Sequence, residues 1–185
     1  MCISFLSKLI KSDKKQESLS IVVPTGNSST TPSESKFLEL TQYEKDKIKS
    51  VALSILGIPY VFGAEVPDLS VLVDTIKFID CSETIQYIYY QTGYEIRDGS
   101  FNQYDDSDMF TDENKIGDLV FKKSPTTDRI THVGIYVGNN MIVEATGSFG
   151  KVITRSLDEF KVGSTKAIYA GIRRLLKDKV KRVKK

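Results

Sequence analysis

Two cysteines and one histidine in 185 residues exclude several classes of protein at once. Cys2 lies at the extreme terminus, where a bridge to Cys81 would have little to hold, so no disulfide framework is expected. Two cysteines and His132, all widely spaced, cannot supply the clustered ligands of a zinc site, and neither a structural metal nor a cofactor is expected. The acids of the 94–114 segment (Asp105, Asp106, Asp108, Asp112 and Glu113) are spaced too irregularly for a calcium loop. No run reaches the roughly 18 apolar residues of a membrane span. Residues 1–10 lack a basic leader and a small-residue cleavage site, so no signal peptide is read there.

What is present describes one domain of ordinary size, 40% hydrophobic and 27% charged, large enough for a core without staples. Ile3, Phe5, Leu6, Leu9 and Ile10 pattern residues 1–10 as a short amphipathic helix suited to docking on a larger assembly. Residues 11–40 begin with a stretch rich in Ser, Thr, Lys and Gln and read as a linker. The domain proper is expected over 41–176, opening with the capping box of Thr41 and Glu44 and a helix that runs to Gly57. Residues 173–185 carry eight basic residues against Asp178, a local +7 in a chain of net charge +2. The 177–185 end therefore reads as a basic tail able to reach an anionic polymer, whether a cell-wall glycopolymer, a membrane surface or a nucleic acid. No aromatics interleave with these charges, and no nucleic-acid partner is expected.

The most informative stretch is Phe78 to Tyr90. Asp80 stands as the N-cap of a helix, Glu83 as its capping-box partner, and Cys81 in the first turn. Unpaired N–H groups and the macrodipole at that end favour negative charge on sulfur, which makes Cys81 a candidate nucleophile. Ile85, Ile88 and Tyr89 supply a buried stripe and Gly93 the stop. Tyr94 to Asn114 reads as a long polar surface loop.

From Ile116 the hydrophobic period becomes two, with strands at 117–121, 130–137, 141–145, 152–155 and 167–173. Helices followed by a meander of strands define an α+β class. His132 lies on the second strand. A three-residue hairpin loop, Gly138 to Asn140, would put Glu144 diagonally beside His132, with Gly134 leaving room between them. A two-residue loop would turn Glu144 to the other face. With the longer loop, Cys81, His132 and Glu144 form a nucleophile, base and orienter.

In order along the chain, Pro59-Tyr60-Val61-Phe62-Gly63, Asp80-Cys81-Ser82, Gln103, Gly117-Asp118-Leu119-Val120-Phe121 and His132-Val133-Gly134-Ile135-Tyr136-Val137-Gly138 resemble the NlpC-type family of papain-like cysteine peptidases. The resemblance spans about residues 42–175. It implies a compact papain-like fold, with an antiparallel sheet against the nucleophile helix. It also implies hydrolysis of peptidoglycan stem peptides, usually between γ-D-glutamate and a diamino acid. Cys81, His132 and Glu144 then take the catalytic positions. Tyr60, Asp80 and Ser82 match positions that line the groove, with the Tyr60 hydroxyl and the Cys81 N–H available to an oxyanion.

This sequence departs from the family pattern at several points. Glu144 stands where histidine, asparagine or glutamine is usual, Glu83 where glycine is common, Phe62 for tryptophan and Ala64 for a second glycine. The long interval from Gly63 to Asp80 is expected to add a loop at the groove rim. A CHAP-type amidase or cross-bridge endopeptidase is the nearest alternative, and a non-catalytic wall-binding or assembly protein the next. With no leader read, the expectation is synthesis in the cytoplasm and action on the wall after release, as an endolysin, or within a phage or exported assembly.

Overall fold

The computed structural model describes residues 35–184. The helix read over 1–10 and the linker up to residue 34 lie outside the described residues. Helix α1 (Gln42–Ser54) starts from Thr41, whose side chain accepts from the Glu44 N–H while the Glu44 carboxylate accepts from the Thr41 N–H. Such a cap contributes about 1 kcal/mol. The helix stops three residues before Gly57, which takes φ +89° after the intervening turn.

Helix α2 (Cys81–Thr92) carries the cysteine and ends on Gly93 in the left-handed conformation. A short strand β1 (Tyr94–Glu95), helix α3 (Ser100–Asp105) and strand β2 (Ser107–Asp108) follow. The expected long loop of 94–114 is thus largely structured: Gln103 and Ser107 are buried, and the Gln103 amide donates to the Ser82 carbonyl at 2.9 Å. Its polar composition concealed short elements too brief to show a period.

Strands β3 (Leu119–Lys123), β4 (Ile130–Gly138), β5 (Met141–Thr146) and β6 (Lys151–Ser156), helix α4 (Leu157–Lys161) and strand β7 (Ile168–Leu175) complete the body. The six-stranded antiparallel sheet runs in the order β2-β7-β3-β4-β5-β6. Alternation along β3 and β5 divides the apolar side chains between two faces. Phe121, Val133, Ile135 and Val143 join α1 and α2 through Ile48, Ile85, Ile88 and Tyr89 in the main core. Val120 and Ile142 point the other way, where α4 covers them with Leu157 and Phe160. Each fully buried aliphatic or aromatic side chain contributes about 1.5–3 kcal/mol.

The domain extends past both expected limits. Phe37 pairs with Leu176, and the Leu38 N–H donates to the Leu175 carbonyl at 2.9 Å, so residues 37–40 are part of the fold. Residues 177–184 are not simply a tail either. Strand β8 (Lys181–Arg182) pairs with β1, and Arg182 reaches the buried Glu44 carboxylate at 2.7 Å. Arg173 donates to the Ser107 carbonyl, and Arg174 is bound to Asp118 and Asp112. At least three of these basic residues therefore serve the fold, and much of the local positive charge is already matched by acids.

Arg174 grips Asp118 with two hydrogen bonds of 2.7 and 3.0 Å, and both side chains are buried. Burial raises the Asp118 pKa even though Arg174 and the Lys115 N–H oppose the shift. Truncating one partner of such a pair strands the other charge, so Arg174→Met is expected to destabilise the domain by about 3–5 kcal/mol. Asp118→Asn combined with it should recover part of that loss. Urea denaturation checks both, and a loss below about 1 kcal/mol in the single variant would contradict the pair's structural role.

Candidate active site

Cys81 reaches its position through the cap of α2. The Asp80 carboxylate accepts from the Glu83 N–H at 2.8 Å and from the Ser82 hydroxyl at 3.0 Å, and the Asp80 carbonyl accepts from the Thr84 hydroxyl at 2.6 Å. As the first residue of the helix, Cys81 has a backbone N–H with no intrahelical acceptor. Ser82 is buried, and its hydroxyl donates to Asp80, which braces the cap.

Glu83 does not complete the expected capping box. Its carboxylate instead accepts from the Val66 N–H at 2.9 Å, inside the segment inserted before the helix. Tyr87 donates to the Val71 carbonyl at 3.1 Å and Gln91 to the Leu69 carbonyl at 2.7 Å. Residues 83, 87 and 91 fall one turn apart on one helix face, so a polar stripe of α2 holds the 64–79 segment by its backbone. The segment encloses an open pocket of about 510 Å³, lined by Val66, Val71, Ile76 and Phe78 among others. The apolar stripe alone predicts one buried face; this segment buries the other, including Tyr87.

His132 meets Glu144 through the β4–β5 hairpin, by a route other than the expected three-residue loop. The turn is two residues, Asn139 and Asn140, both at positive φ, as a primed turn requires. Left alone, it would turn Glu144 away. A bulge between Tyr136 and Gly138 inserts one residue and restores the pairing of Ile135 with Val143. Glu144 accordingly stays on the face of His132, and its Oε2 bonds to His132 Nε2. Gly134 makes this approach feasible: a Cβ there would lie 3.3 Å from Glu144 Cβ and 3.1 Å from the Val143 carbonyl oxygen.

Nε2 being occupied, Nδ1 is the imidazole nitrogen left for Cys81, which lies close enough to favour the charged ring. Burial works against charge on this imidazole, but the bonds and charges of Cys81 and Glu144 outweigh it and push the His132 pKa up to about 9. Tyr60 stands near the cysteine, partly buried, where desolvation and the charges of Cys81 and Asp80 push its pKa up to about 12. It therefore keeps its proton at neutral pH and can donate.

Two neighbours of the site escaped the sequence reading. Arg155 on β6 pairs with Ile142, which places it diagonally beside Glu144, and its Nε lies 2.5 Å from Glu144 Oε1. The contact is ionic in character, since neither atom has an aligned hydrogen-bond partner. Phe160 of α4 stacks on His132 with ring centroids 6.0 Å apart, and the Arg155 guanidinium and the Lys122 ammonium also lie over its ring. The available signal was a basic residue at an inward-facing position of a predicted strand. Among the described residues, no group of three His, Cys, Asp or Glu side chains is placed to hold a metal ion. No helix among them is long and apolar enough to cross a membrane.

A helix-borne thiol facing a strand-borne imidazole on an α+β fold defines the papain-like class. The model of the NlpC/P60 family matches residues 57–174, and the chain belongs to that family. It is 38% identical over 82 residues to the murein DD-endopeptidase MepS/murein LD-carboxypeptidase of Escherichia coli K12, 43% of each chain. Against the gamma-DL-glutamyl hydrolase of Bacillus subtilis it is 31% identical over 134 residues, 71% of this chain and 30% of the relative. The chain thus spans less than half the length of these curated relatives.

Two solved structures resemble the fold. A lipoprotein-like NLP/P60 protein of Staphylococcus aureus superposes with a TM-score of 0.59 at 26% identity, over 77% of this chain and 45% of that one. The peptidoglycan hydrolase RipB of Mycobacterium tuberculosis gives 0.51 at 27% identity, over 73% and 66%.

Glu83 generates a test of the polar stripe. Burial raises its pKa to about 7 against the pull of the Val66 N–H, with Asp98, Asp80 and Glu65 adding to the rise. A carboxyl that ionises later in the folded than in the unfolded chain costs stability as pH climbs from about 4.5 through about 7. Glu83→Gln keeps an acceptor for Val66 and removes that titration. The stability difference between variant and parent is expected to grow across this window, read from denaturation at successive pH values. A constant difference would contradict a buried, titrating Glu83.

Proposed function

We propose that this protein is a cysteine hydrolase of peptidoglycan stem peptides and that its scissile bond joins γ-D-glutamate to a diamino acid. The observation that carries this reading is the placement of His132 between Cys81 and Glu144. The relatives' activities on murein and on γ-glutamyl bonds support the substrate class.

Cys81 Sγ attacks the carbonyl carbon while the oxygen takes up charge against the Cys81 N–H and the Tyr60 hydroxyl. The C–N bond breaks, and the leaving amine takes a proton from the His132 imidazolium. Water then gives its proton to His132 and attacks the thioester, releasing the carboxylate product and the sulfur. Glu144 holds the tautomer and stabilises the imidazolium through both steps. Asp80 fixes the nucleophile's turn and borders the site with Tyr60.

Cys81→Ala is expected to abolish release of soluble fragments from purified peptidoglycan with an unchanged circular dichroism spectrum; full activity would end the mechanism. Mass spectrometry of the parent's products should show a new γ-D-glutamate carboxylate and a new diamino-acid amine. A new L-alanine amine would support the amidase reading instead, and retention of peptidoglycan without any new ends a binding role. Tyr60→Phe is expected to lower kcat by about a hundredfold to a thousandfold, as for other lost oxyanion donors. Because His132 is held charged up to about pH 9, activity should fall on the alkaline side near that value. Glu144→Gln, which removes the stabilising charge, should move the fall to lower pH.

A further inference from the structure

A carboxylate in place of a neutral third residue creates a physical problem that this structure meets with a second residue. Glu144 is fully buried, and a buried carboxylate facing a single imidazole would bind the charged ring strongly on one oxygen and leave the other uncompensated. Here Arg155 lies at that second oxygen, 2.5 Å away. The guanidinium is itself held over the Phe160 ring, which stacks on His132. Imidazole, carboxylate, guanidinium and phenyl ring thus form a closed circuit of contacts across β4, β5, β6 and α4.

We infer that Arg155 is a positioning residue of this site: it fixes the orientation of Glu144 and, by sharing its negative charge, limits how firmly Glu144 holds the His132 proton. This rests on the reading of Cys81, His132 and Glu144 as the reacting groups. An imidazolium gripped too tightly is a poor acid toward a leaving amine, since proton transfer is most efficient when the catalytic pKa lies near the working pH. Arg155 therefore suits a glutamate to a place that a neutral residue would fill without help. The charged and titratable groups facing His132 are Cys81 from α2, Glu144 from β5, Arg155 from β6 and Lys122 from β3. Lys122 pairs with His132 across the sheet and lies over the same phenyl ring.

His132 is the sole histidine of the chain, so its imidazole titration is read by NMR without assignment and without need of turnover. Arg155→Met is expected to raise the His132 midpoint by about one pH unit, a roughly tenfold tighter hold of Glu144 on the imidazolium proton. The alkaline fall in peptidoglycan hydrolysis should move with it. Arg155→Lys, which keeps the charge, should restore most of the parent value. In a Glu144→Gln background, Arg155→Met should move the midpoint by less than about a third as much, because the group it acts through has lost its charge.

No shift in Arg155→Met, or an equal shift in both backgrounds, overturns the inference. Arg155→Gln, which keeps a polar end group without the charge, carries the same expectations should the methionine variant fail to fold. Absence of hydrolysis in the parent, with the NMR shifts as expected, would remove the catalytic reading and leave the positioning of Glu144 by Arg155 standing.

Discussion

The hydrogen bond from the Glu83 N–H to the Asp80 carboxylate fixes where α2 begins, and the place of Cys81 follows from it. Three further contacts hold that turn: the Ser82 hydroxyl on Asp80, the Thr84 hydroxyl on the Asp80 carbonyl, and the Gln103 amide on the Ser82 carbonyl. Ile85, Ile88 and Tyr89 then anchor the helix in the main core. A thiol on a loop would have to be ordered by whatever binds beside it. Here the core orders it beforehand.

The second constraint is the register of a single hairpin. Strand alternation is a two-state variable, so one residue more or less decides whether Glu144 meets His132 or is turned into the main core beside Val143 and Ala145. The bulge at Val137 and Gly138 makes that choice, together with the absence of a side chain at Gly134. A compact Asn-Asn turn and a correctly facing carboxylate are both obtained, at the cost of one unpaired residue.

How much of this was legible in the sequence depends on the range of the interaction. The Thr41 and Asp80 caps, the Gly93 stop and the alternation of β3 to β6 are local, and they can be read from adjacent residues. Glu83 shows the limit. Its spacing from Asp80 suits a capping box, but the preceding insertion offers the Val66 N–H, and no local rule ranks the two donors. Leu38 with Leu175, Arg182 with Glu44 and Arg174 with Asp118 join residues far apart in the chain, so segments resembling a linker and a tail turned out to be edges of the fold. At the site, Cys81, His132 and Glu144 could be proposed from motif and strand period. Arg155 and Phe160 could not, because their relation to Glu144 and His132 exists only once β6 and α4 have closed over the sheet.

The polar stripe of Glu83, Tyr87 and Gln91 ties the 64–79 segment to the helix that starts at Cys81. Segment and thiol therefore share one mechanical frame, and any displacement of one is transmitted to the other along α2. Selection could not remodel this segment freely: each new sequence would have to present a donor to residue 83 and acceptors to residues 87 and 91, or else loosen the helix bearing the thiol. The insertion is in that sense a fixed accessory of this helix, whose side chains can vary while its backbone path is held.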